Sequence, residues 1–115
     1  MRAEEFTPQH NFTTAYHITT EEFAAEILYS GLDPHDGKVY LVVDTGDKVK
    51  LRKELSTVAH WMLARTDDTT GPLTLLQVNI TGLPLKLEYG WYVSLANIPP
   101  ERITDLGEDE FQRYA

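Results

Sequence analysis

The stretch TTEEFAAEILYSGL, residues 19–32, carries its own start and stop signals and limits what the chain around it can become. Thr19 and Glu22 have the spacing of a capping box, in which each side chain satisfies an end N–H of the following helix. Phe23, Ile27 and Leu28 share one apolar face, and Gly31 stands where a left-handed residue ends a helix. This short helix is bracketed by TAYHI and KVYLVVD, which read as strands because of their β-branched and aromatic content. The turn chemistry of DPHDG links the helix to the second of them. Another helix follows in LRKELSTVAHWMLAR, where Leu51, Leu55, Val58, Met62 and Leu63 recur at helical spacing. TDDTTGP is a loop, and in LTLLQVNI the residues Leu76, Val78 and Ile80 alternate with polar neighbours as a half-buried strand does. KLEYGWYVSL reads as strand with Gly90 as a bulge or bend. The proline pair of NIPPERITDL ends one strand, and Arg102–Leu106 forms a last one. Strand, helix, strand, helix and then several strands predict an α+β fold.

A chain of 115 residues supports one core, not two. The expected division is an arm over residues 1–13, a single domain over 14–106 and an acidic tail over 107–115. Eighteen acids against ten bases give a formal charge of −8. That charge argues against a nucleic acid held by its phosphates. It leaves room for a small anionic ligand gripped by one or two arginines, and a protein partner would present a basic surface. The absence of cysteine excludes thiolate metal sites, disulfides and cysteine nucleophiles. The N-terminal residues lack a basic start followed by an apolar run, and no apolar stretch is long enough to span a bilayer, so the expected location is cytoplasmic without membrane contact.

No phosphate-binding glycine loop, nucleophile elbow or zinc-type histidine pair is present. The four histidines, His10, His17, His35 and His60, are scattered. His35, between Asp33 and Asp36, reads as part of a solvated turn rather than a metal ligand, and no metal is expected. His60 and Trp61 read as a packing pair at the edge of the core. His17 stands out by its company. YHIT, a helix ending in SGL, the strand VYL and the late segment IPPERI occur in an order that resembles the ADP-ribosyltransferase fold. The closest likeness is to its diphtheria-toxin-like and RNA 2′-phosphotransferase-like branches, over roughly residues 15–44 and 73–105.

That resemblance implies a compact α+β fold, with two helices packed on a mainly antiparallel, split β-sheet. It also implies NAD as the substrate, or a related nucleotide as the ligand. By the same resemblance, His17 would hydrogen-bond a ribose hydroxyl with Thr19 in support, and Tyr40 would offer its ring to the nicotinamide, where aromatic–cation contact is favourable. Arg52, Lys50 or Arg65 would meet the pyrophosphate through charge-assisted hydrogen bonds. Many transferases of this fold carry a late-strand glutamate that stabilises the oxocarbenium-like transition state. Here that position falls at Trp91–Tyr92. Glu88 is the nearest candidate acid, on the parity of Tyr92 if the strand runs unbroken past Gly90. RNA 2′-phosphotransferase activity fits poorly, because it needs several arginines and a second histidine. Two functions follow as expectations: transfer of ADP-ribose from NAD to an acceptor, or a non-catalytic module of the same fold that captures a nucleotide or inhibits a protein partner through its acidic surface.

Overall fold

The computed structural model describes residues 10–33, 39–65 and 71–115. Strand β1 (Thr14–Thr20) runs directly into helix α1 (Glu21–Ser30), and strand β2 (Tyr40–Val43) precedes the long helix α2 (Lys48–Arg65). Strands β3 (Leu73–Asn79), β4 (Leu85–Glu88) and β5 (Trp91–Ser94) follow. A single 3₁₀ turn at Pro100–Arg102 leads into β6 (Ile103–Gly107) and the short helix α3 (Glu108–Gln112). The strands form one six-stranded sheet in the order β4-β5-β2-β1-β3-β6. Every neighbouring pair is antiparallel.

Strand alternation gives the sheet two apolar faces, and each has its own cover. Ala15, Leu41, Val43, Leu76 and Val78 point to the side where Ala24 of α1, Leu32 and Ile98 pack. Ile18, Val42, Leu73 and Leu75 point to the other side, against Leu51, Leu55 and Ala59 of α2 and Phe111 of α3. The outcome is an α+β fold with three helices on an antiparallel sheet.

Several local expectations shift on contact with the tertiary structure. The residue that caps α1 is Thr20, whose hydroxyl accepts from the Phe23 N–H at 3.2 Å. Thr19 is held in the ladder opposite Thr74 and is buried, so the box with Glu22 does not form. Helix α1 meets the core through Ala24 and Ile27, while Phe23 and Leu28 remain exposed. In α2 the buried stripe is Leu51, Leu55 and Ala59, and Leu63 falls outside it. Trp61 and His60 are exposed rather than packed, and the Arg65 guanidinium lies 4.0 Å from the Trp61 ring centre. Gly90 is neither bulge nor bend. With Tyr89 it forms a two-residue turn in which both residues have positive φ (53° and 86°), and Glu88 pairs with Trp91 across the hairpin.

Residues 107–115 belong to the packed structure. Gly107 ends β6, and Phe111 is 1% exposed in the core beneath α3. At the other end of the chain, Phe12 packs on the first core, and its ring meets Tyr92 edge-on at 5.9 Å.

Candidate functional site

Two of the sequence motifs turn out to be one structural unit. Gly31 has a φ of +88°, and a Cβ at this position would lie 2.3 Å from the Ile98 carbonyl oxygen, so only glycine fits. Next to it, Leu32 and Ile98 exchange backbone hydrogen bonds of 2.9 and 2.8 Å. SGL therefore docks on the segment NIPPERI. Arg102 then donates from Nη1 to the carbonyls of Asn79 and Thr81, tying the same segment to the end of β3. The two motifs brace α1 and β3, the neighbours of β1 that position His17.

The centre of the sheet is incompletely zipped. Pairing of β1 with β2 covers Ala15↔Val43 and Tyr16↔Val42, whereas β1 pairs with β3 over its whole length. The next rungs would set His17 against Leu41 and Ile18 against Tyr40. Instead, the Tyr40 carbonyl lies 3.1 Å from Nδ1 of His17. A carbonyl only accepts, so Nδ1 carries the proton and donates. In the neutral imidazole Nε2 is then left with a lone pair, and it has no hydrogen-bond partner among the described residues. Burial lowers the His17 pKa below the ordinary histidine value of 6.5, partly opposed by the hydrogen bond to Tyr40, so the ring is neutral at physiological pH. The split thus holds a fixed tautomer that presents one acceptor.

The other expected residues distribute around this point. Thr19 lies two residues along the same strand, so its side chain shares the His17 face, where it is 8% exposed. Tyr40 meets His17 through its main chain. Its own ring, 42% exposed, alternates with Leu41 and so stands on the α2 side of the sheet, the opposite one from the His17 imidazole. Arg52 is exposed on the second turn of α2, on the opposite flank of the apolar stripe from Lys50, and makes no ion pair among the described residues. Arg65, the third candidate for the pyrophosphate, is occupied by its stack on Trp61 at the far end of that helix. Glu88 sits at the tip of the β4–β5 hairpin, with its carboxylate 4.0 Å from Lys86. The turn at Tyr89–Gly90 reverses the chain, so Glu88 shares a face with its cross-strand partner Trp91 and not with Tyr92. That is also the face opposite His17. The structure therefore brings together His17, Thr19 and the Tyr40 main chain, and it keeps Glu88 and Arg52 apart from them.

His35 lies outside the described residues. Among the described residues no three histidine, aspartate or glutamate side chains gather closely enough to hold a metal ion, and no helix is long and apolar enough to cross a membrane. No protein-family model matches this chain, and no curated protein matches it either. The feature hidden from sequence reasoning was the role of the Tyr40 carbonyl, which depends on where the β1–β2 ladder stops. No sequence signal marks it: by sequence KVYLVVD reads as longer than TAYHI, and only the structure shortens β2 to four residues against seven in β1.

Proposed function

We propose that the chain is an NAD-linked protein of the ADP-ribosyltransferase type that binds the dinucleotide at the split between β1 and β2 and transfers ADP-ribose to an acceptor. The observation that carries this reading is the His17 imidazole, fixed by Tyr40 so that Nε2 accepts. A ribose hydroxyl is a suitable donor to it, and a neutral acceptor in a partly dry site discriminates for such a group. A ligand touching both the imidazole and the Tyr40 ring has to pass through the split from one face to the other. That geometry favours an extended dinucleotide over a compact ligand. Arg52 and Lys50, on the two flanks of α2, are the cations offered to its pyrophosphate.

The position of Glu88 favours the second reading, a module of the same type that captures the nucleotide without turnover. A carboxylate on the face opposite His17, close to Lys86, is poorly placed to steady charge on a ribose held by His17. Incubation of labelled NAD with the protein and a cell lysate separates the two. Label transfer or free nicotinamide that disappears with His17→Ala supports the transferase. Saturable NAD binding with neither product supports capture, and no binding at all removes both.

A further inference from the structure

A second opening lies at the other end of β2. The β2–β5 ladder holds Tyr40 against Val93 and Leu41 against Tyr92 and stops there. Beyond it, the strand parts from the β4–β5 hairpin to leave a cleft of about 160 Å³. Its apolar lining includes Val43, Leu87, Trp91 and Tyr92, and its charged lining is Lys50 and Glu54. An apolar cavity of roughly 150 Å³ is enough to take up a benzene ring, so this one accommodates a single six-membered ring.

The two charged groups define what that ring must carry. Lys50 and Glu54 are four residues apart on α2, with their Cβ atoms about 5–6 Å from each other by helical geometry. They form no ion pair with each other or with any other described residue. Lysine before glutamate is the less favourable order for closing such a pair within a helix. Lys50 is exposed and Glu54 half-buried, so both charged groups line an open cleft of mixed polar and apolar walls with room for one ring.

We propose that this cleft binds a free amino acid with an aromatic side chain. The ring enters between Val43, Leu87 and Trp91, the α-carboxylate meets Lys50 Nζ and the α-ammonium meets the Glu54 carboxylate. An aromatic acid without the ammonium is repelled by Glu54, and an aromatic amine without the carboxylate is repelled by Lys50; only the zwitterion satisfies both. The site lies away from His17 and shares only Lys50, one of the cations offered to the pyrophosphate, with the nucleotide reading. Val43 lies opposite Ala15, whereas His17 lies at the Tyr40 end of the same strand.

Trp61→Phe leaves Trp91 as the one tryptophan of the chain, a reporter inside the cleft. In that background, phenylalanine, phenethylamine and 3-phenylpropionate are titrated while Trp91 fluorescence is followed. Phenylalanine gives a saturable change and the two charge-deleted analogues bind at least about tenfold more weakly. Lys50→Met erases the advantage of phenylalanine over phenethylamine, Glu54→Gln erases its advantage over 3-phenylpropionate, and His17→Ala changes neither. No saturable response to phenylalanine overturns the proposal. So does an equal response to all three probes, or an advantage that survives both substitutions.

Discussion

His17 concentrates the chemistry of this chain in one side chain whose two nitrogens have different tasks. Nδ1–H is committed to the Tyr40 carbonyl, and Nε2 has no hydrogen-bond partner among the described residues. Because burial lowers the pKa of His17, the folded protein binds fewer protons there than the unfolded chain does. The stability linked to this group is fully present above the unfolded value of about 6.5 and is lost as pH falls through the lower folded value. Urea midpoints should therefore fall more steeply on acidification for the wild type than for His17→Gln, which does not titrate. Parallel pH profiles would show that His17 is not the group responsible. Gly31 is the second residue where a single atom decides. Alanine there places a Cβ against the Ile98 carbonyl at a positive φ, and we expect Gly31→Ala to cost at least about 2 kcal/mol in denaturant unfolding.

At the scale of elements, what the sequence disclosed and what it concealed have physical explanations. Both long helices, and the strands on either side of α1, were legible because apolar periodicity and turn residues are local signals. The cap moved from Thr19 to Thr20 because β3 pairs with β1 through its last residue and claims Thr19 for the ladder. Thr20→Ala should therefore cost about 1 kcal/mol through loss of the cap to Phe23, measured by chemical denaturation. Gly90 was misread because a strand–turn–strand segment with a two-residue turn has nearly the periodicity of one strand, and only pairing reveals the reversal. That misreading also misplaced Glu88, since the parity of an acid flips when the chain turns back between it and its reference residue. Ala59 was passed over in favour of Leu63 because small side chains carry little hydrophobic signal, yet they allow the closest approach of helix to sheet. The acidic residues 107–115 read equally as a frayed end or a short helix, and the buried Phe111 anchors the helical alternative, α3. Phe111→Ala should destabilise the protein by about 3–5 kcal/mol, a loss seen for a core aromatic and not for one in a frayed tail.

For the molecule as a whole, the sheet is closed along its length on one side of β1 and for two residue pairs on the other. Helices cover both faces, and the bridge between Leu32 and Ile98 fixes the end of α1 next to the segment that enters β6. The motifs SGL and IPPERI, which in sequence are only two steps in an order, become in three dimensions one bridged unit at the end of α1. We propose that the split between β1 and β2 receives NAD on His17 Nε2. Isothermal titration of NAD into the wild type and into His17→Ala tests it most directly, with thermal melts confirming that both are folded. Saturable binding by the wild type is expected, with a loss of about tenfold or more in the variant, as for removing a hydrogen bond worth about 1–1.5 kcal/mol. Equal affinity in the two proteins, or no binding by the folded wild type, would contradict it.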